Sequence, residues 1–157
     1  MNNALMFSSK SDEWATPQDT FDWLNREFQF DVDLAASQEN TKCEEFYSIE
    51  KSALAAHWAE AFPDGVGWCN PPYSRGLQGK FIEKAAEERV KGFTTVMLLP
   101  ARTDTRAFHK HIYDETKWTA REGVEIRLLR GRLKFGGAPS SAPFPSMVVV
   151  FRPERKA

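Results

Sequence analysis

The sequence predicts an α/β fold, a mostly parallel sheet layered between helices with an antiparallel strand at its C-terminal end. Three observations predict it. Short apolar, β-branched runs alternate with segments of helical periodicity. The longest runs, Val96-Met97-Leu98-Leu99 and Met147-Val148-Val149-Val150-Phe151, are strand-sized. The last two strand-like segments are joined by a loop without helical pattern, which suits antiparallel pairing.

The elements follow in order. Residues 1–13 are polar with little periodicity and are expected to form a flexible arm. Thr16 and Pro17 suit the cap and first turn of a helix, with Asp19 three residues after the cap. Phe21, Leu24 and Phe28 give that helix one buried face. Phe30-Asp31-Val32-Asp33-Leu34 alternates and predicts a short strand. From Cys43 to Trp58 the pattern is ambiguous, allowing a strand at 45–48 and a helix near 53–59. Pro63-Asp64-Gly65 is a turn, and Val66-Gly67-Trp68-Cys69 a short buried strand ending at Asn70.

In the second half, residues 80–91 read as an amphipathic helix with Phe81, Ile82, Ala85, Ala86 and Val90 inward, stopped by Gly92. Residues 93–99 predict a strand. Thr103 can cap a helix over Phe108, Ile112 and Tyr113, and 124–129 and 146–151 predict the last strands. Together these elements predict one Rossmann-like three-layer α/β/α sandwich over residues 14–152.

The 157 residues suit a single domain with its own core. A composition of 41% hydrophobic and 27% charged residues excludes a disordered or collagen-like chain. No run approaches the ~18 apolar residues of a membrane span. Met1 to Leu5 shows no basic region before an apolar stretch, so a cytoplasmic protein is expected. Cys43 and Cys69 then read as reduced thiols. Neither they nor His109 and His111 have metal-ligand spacing, so no metal is expected.

The net charge of −1 hides an asymmetry. Residues 1–100 hold 9 Lys and Arg against 16 Asp and Glu; residues 101–157 hold 12 against 6. A basic final third on an acidic body suits a face that meets phosphate, though scattered solvated charges would give the same count.

The sharpest feature is Asn70-Pro71-Pro72-Tyr73, placed directly after a short apolar strand. In an open α/β sheet the loops at the carboxyl ends of the strands form the binding crevice. Two prolines force an extended loop, in which the Asn70 side-chain oxygen and the Pro71 carbonyl can converge as two acceptors. A planar exocyclic amine has two hydrogens to match them, and accepting both draws its nitrogen toward a pyramidal, nucleophilic state. Tyr73 offers a face on which a flat base can stack. These are the requirements of methyl transfer to an amine: a positioned, activated nitrogen and no strong base. A rigid turn without chemistry is the plain alternative.

The tetrapeptide resembles the catalytic motif of amino-methyltransferases that use S-adenosylmethionine. The chain as a whole resembles the small phage and prophage DNA N-6 adenine methyltransferase family. The resemblance runs through Glu13–Pro17, Phe30–Ser37, Glu39–Cys43, Trp68–Tyr73, Leu99–Thr105, Gly131–Gly136 and Ser141–Ser146. It implies a DNA partner, S-adenosylmethionine as cofactor, and Asn70, Pro71, Pro72 and Tyr73 as the catalytic loop. Trp14, Ala15, Thr16 and Pro17 would lie at a helix start, where free N–H groups favour the methionyl carboxylate. Asp33, taken to end the first strand, would sit near the methionyl amine. Leu34, Ala35 and Ala36 replace the usual glycine-rich turn, with small side chains that still allow close approach. Glu50 is the candidate for a further cofactor contact, with Glu44 and Glu45 competing.

On the substrate side, Arg102, Thr103 and Arg106 follow a strand end and could meet DNA. Arg130, Arg132 and Lys134 could bind phosphates while Phe135 or Phe144 packs on an extruded base; Phe135 tucked into the core is the alternative. Three rival readings stay open. One is methylation of a protein glutamine amide or an RNA base. The others are a non-catalytic nucleic-acid-binding module and a phage accessory protein.

Overall fold

The structure is a computed structural model that describes residues 14–48, 53–74, 76–137 and 140–154. The arm expected at 1–13 and the candidate Glu50 lie outside the described residues. Helix α1 (Gln18–Phe28) leads into β1 (Val32–Ala36) and β2 (Phe46–Ser48). A one-turn helix α2 (Trp58–Ala61) precedes β3 (Val66–Cys69), and α3 (Leu77–Val90) leads to β4 (Thr94–Pro100). A π-helical turn (Phe108–Ile112) and a small hairpin, β5 (Tyr113–Asp114) with β6 (Thr119–Ala120), follow. Strands β7 (Val124–Leu128) and β8 (Ser146–Phe151) complete the chain.

Six strands form one mixed, mostly parallel sheet in the order β2-β1-β3-β4-β8-β7. Strands β2, β1, β3 and β4 pair in parallel. β8 is antiparallel to both β4 and β7, so β8 alone runs against the other five. The antiparallel partner expected at the C-terminal end is therefore present. It is inserted between β4 and β7.

Side chains alternate across this sheet, as a period of two requires. Met97, Leu99, Met147 and Val149 join Phe81, Ile82 and Ala85 of α3 and Trp58 of α2 in one apolar cluster. Trp68, Val96, Leu98, Val148 and Val150 join Phe21 and Leu24 of α1 in another. Strand β3 runs close under its neighbours at Gly67. A Cβ there would lie 2.6 Å from Leu34 Cδ1 and 2.8 Å from Phe93 Cζ, so only glycine fits.

Several expected boundaries shift, each for a physical reason. The first strand starts at Val32 and runs to Ala36, so Asp33 lies inside it rather than at its end. Phe30 instead packs its ring against Phe21 and Trp68, at 5.4 and 5.5 Å. Pro17 is the cap of α1 rather than its first helical residue, and no side chain caps that helix. Val90, expected inward, is 63% exposed, while Glu88 on the same helix is fully buried. The Glu88 carboxylate accepts the backbone N–H of Trp58 at 2.8 Å. Lys84 and Lys91 flank it at 3.8 and 3.7 Å, which compensates the buried charge. Past β4, the hydroxyl of Thr105 rather than Thr103 takes the N–H of Phe108, and Tyr113 belongs to β5.

Candidate active site

The parallel strands bring their carboxyl ends to one edge. β1 ends at Ala36, β3 at Cys69 and β4 at Pro100. Because Leu128 pairs with Met147 and Pro100 with Ser146, the loop between β7 and β8 opens on the same edge. Asn70, Arg102 and residues 129–145 thus share it, as loops at the carboxyl ends of an α/β sheet should. The edge is tied together by backbone bonds: Ala101 N–H to the Pro145 carbonyl at 2.8 Å and Gly136 N–H to the Ala15 carbonyl at 2.9 Å.

A cavity of about 100 Å³ lies there, lined by Trp14, Ala15, Thr16, Asp33, Ala35, Asn40, Lys42, Trp68, Asn70 and Pro72. Asn70 is fixed through its Nδ2, which donates to the Trp14 carbonyl and, at 3.0 Å, to Thr16 Oγ1. A carbonyl only accepts, so this pairing sets which end of the amide faces which way. Asn70 Oδ1 is buried with no hydrogen-bond partner among the described residues. Buried acceptors are ordinarily satisfied, so an orphan beside a cavity marks a place for a donor.

Asp33 is the buried charge of the cavity, 3% exposed. Its oxygens accept the backbone N–H groups of Ala35 at 3.2 Å and Lys42 at 3.0 Å. Burial pushes its carboxyl up to about 6, against the pull of those bonds and of the Lys42 charge. A cationic ligand would offset that desolvation. Lys42 reaches Gln18 through its ammonium at 2.7 Å.

The structure does not gather every expected residue into the cavity. Leu34 is fully buried in the α3-side cluster, and Ala36 and Pro17 are not among the lining residues. Pro71 and Pro72 are buried, with Pro72 alone on the cavity wall. Tyr73 is 5% exposed, and its hydroxyl donates to the Leu98 carbonyl at 3.2 Å. Its ring packs edge-on against Phe144 and Phe135, so it braces the loop rather than presenting a free face. Burial raises its hydroxyl pKa. Phe135 is 2% exposed and packs edge-on against Trp14 at 5.3 Å; its placement is that of a core residue.

Arg102, Thr103, Arg106, Arg130, Arg132 and Lys134 are all exposed. Arg102 reaches the Tyr73 carbonyl at 3.4 Å. None of these five cations has an acidic partner among the described residues. Cys43 and Cys69 are free thiols, and burial pushes Cys43 up to about 12 and Cys69 well up too, so neither is a thiolate at neutral pH.

The profile of one family, DNA N-6-adenine-methyltransferase (Dam), matches residues 4–157. The chain belongs to that family. Among curated relatives, the DNA N-6-adenine-methyltransferase of Escherichia phage T1 is 39% identical over 98 residues, 62% of this chain and 39% of that protein. The DNA N-6-adenine-methyltransferase of Haemophilus phage HP1 is 32% identical over 154 residues, 93% of this chain and 82% of that protein. No solved structure matches.

In this Dam family member the cavity is also lined by residues to which the sequence alone assigned no role. Asn40, Lys42 and Trp68 line the cavity. Asn40 and Lys42 stand in the Glu39–Cys43 block, whose signal was the resemblance itself, not a local pattern. Among the described residues no cluster of His, Cys, Asp and Glu could hold a metal, and no helix is long and apolar enough to cross a membrane.

Proposed function

We propose that this chain transfers the methyl group of S-adenosylmethionine to the exocyclic 6-amino group of adenine in DNA. One observation carries the reading: Asn70 has its NH₂ end tied down and its Oδ1 buried, unpartnered and beside the cavity. Family membership and the naming of the phage relatives support the substrate.

The residues present fit the cofactor. Asp33 is a buried carboxylate held at the cavity wall, where the cationic methionyl amine would restore the balance lost to desolvation. Trp14 and Ala15, cavity-lining residues just ahead of α1, would take the carboxylate end near the positive pole of the helix, while the Thr16 hydroxyl is engaged by the Asn70 amide. S-adenosylmethionine, when bound, supplies an electrophilic methyl group on a sulfonium.

The chain's own part is positioning. Asn70 Oδ1 accepts one amine hydrogen and the Pro71 carbonyl the other. Both draw electron density onto the nitrogen and hold its lone pair in line. With S-adenosylmethionine bound, the amine nitrogen would take its methyl group, the electron pair of the broken bond would stay with the cofactor, and the surplus amine proton would leave to water. The exposed cations Arg102, Arg106, Arg130, Arg132 and Lys134 hold the phosphates around an adenine turned out of the stack. The protein part is then one Rossmann-like three-layer domain over residues 14–152, a reading supported by apolar clusters on alternate side chains of the sheet.

The test is incubation of the protein with methyl-labelled cofactor and unmethylated DNA, followed by digestion to nucleosides. Label on N6-methyl-2′-deoxyadenosine is the expected result. Label on cytosine, or none, overturns the reading.

A further inference from the structure

We infer that Thr16 is a positioning residue, whose hydroxyl, with the Trp14 carbonyl, holds the Asn70 amide in the one orientation that presents Oδ1 to the amine. The inference rests on the role proposed above for Asn70.

A primary amide is nearly symmetric in shape and can turn end for end about its Cβ–Cγ bond. The turned form would aim an NH₂ group at an amine that itself donates. Donor would face donor, and no activation could follow. Something must forbid that form. The Trp14 carbonyl does so here, because it can only accept, and Thr16 Oγ1 on the same side takes a second bond from Nδ2 that holds the amide in place. Turning the amide would forfeit the bond to the Trp14 carbonyl and set Oδ1 against that carbonyl oxygen, a loss that a Thr16 hydroxyl turned to donate would not offset.

The Thr16 hydroxyl is not spent on the helix that follows it, because α1 has no side-chain cap. The residue is 5% exposed, so water does not compete for it freely. Its segment is fixed from the far side as well. The Ala15 carbonyl takes the Gly136 N–H at 2.9 Å, and the Trp14 ring lies edge-on to Phe135 and Phe144, each at 5.3 Å. The acceptors are therefore anchored to the loop between β7 and β8 and cannot follow a turning amide.

The experiment compares the full chain with Thr16→Val and Thr16→Ser, measuring cofactor Kd by calorimetry and kcat at saturating cofactor and DNA. Valine keeps the shape and removes the acceptor. The expected result is an unchanged Kd, a kcat lowered by about 10- to 100-fold in Thr16→Val, and recovery of most of it in Thr16→Ser. A weakened Kd with unchanged kcat would make Thr16 a cofactor contact instead and overturn the inference, as would an unchanged kcat and Kd. Nuclear magnetic resonance of the labelled wild-type protein decides the matter should the valine variant not fold. Slow exchange of the Asn70 side-chain NH₂ supports the inference; exchange as fast as that of an exposed asparagine overturns it. Loss of the proposed function itself would look different, since the wild-type protein would then methylate no adenine.

Discussion

The Asp33 carboxylate accepts the backbone N–H of Lys42 at 3.0 Å, joining the strand β1 to a turn nine residues on. That bond favours the ionised form, yet burial outweighs it and lifts the carboxyl from 3.8 to about 6. Two outcomes follow. Between those two values the folded chain holds the proton and the unfolded chain does not. Without ligand, this group therefore favours folding most below pH 4, and its contribution declines as pH rises to 6, by about 3 kcal/mol. Urea unfolding at pH 4 to 7 reads this, and the slope should vanish in Asp33→Asn. Cofactor affinity runs the opposite way. A cationic amine needs the ionised carboxylate, so Kd should weaken about ten-fold from pH 7 to pH 5. Calorimetry showing equal affinity at both pH values would remove Asp33 from the amine site.

Asn70 is predicted to be indispensable to transfer and dispensable to cofactor binding. Asn70→Ala removes the unpartnered Oδ1 and should lower kcat by at least about 100-fold with cofactor Kd kept. Asn70→Asp is a sharper test. Its second carboxylate oxygen would face the Trp14 carbonyl, which has no hydrogen to offer. The acid should therefore hold its proton, and at saturating cofactor the variant should be more impaired at pH 8 than at pH 6. A fully active aspartate variant at pH 8 would contradict the geometry.

The same residues show what a sequence discloses and what it hides. Strand β3, Val66–Cys69, is legible to the residue because an apolar run stops at an asparagine and two prolines. The order of helices and strands and the reversed strand β8 are legible for similar local reasons. Thr16 is different. Its position before Pro17 suggests a cap, but its hydroxyl serves a side chain 54 residues away, which no local pattern encodes. Asp33 in an alternating run looks like the exposed half of a strand, whereas β1 is covered on both faces. Phe135 reads as a stacking surface or a core residue and Tyr73 as a stacking surface, and packing places both in the core.

Arg130, Arg132 and Lys134 are exposed at the edge that carries Asn70 and lack acidic partners among the described residues. Each that meets a phosphate releases counterions, so replacing one by alanine should flatten the plot of log affinity for DNA against log salt by about 1. Cofactor binding should not change. Filter binding of an unmethylated duplex across salt concentrations measures it. An unaltered slope for all three single variants would place the DNA elsewhere on the surface.

Glu88 gives a test of the fold that leaves the chemistry alone. It lies near the end of α3, at the far end of that helix from the Asn70 loop, and its carboxylate is fully buried. Its Oε1 holds the backbone N–H at the start of α2, and Lys84 and Lys91 balance its charge. Alanine would leave that N–H without an acceptor and two lysines without their partner, at a cost of about 3 kcal/mol. Glutamine retains an acceptor for Trp58 and should lose less. Urea midpoints should thus fall in the order wild type, Glu88→Gln, Glu88→Ala, while kcat of the folded fraction stays the same. Were glutamine as damaging as alanine, the charge rather than the hydrogen bond to Trp58 would be what joins α2 to α3.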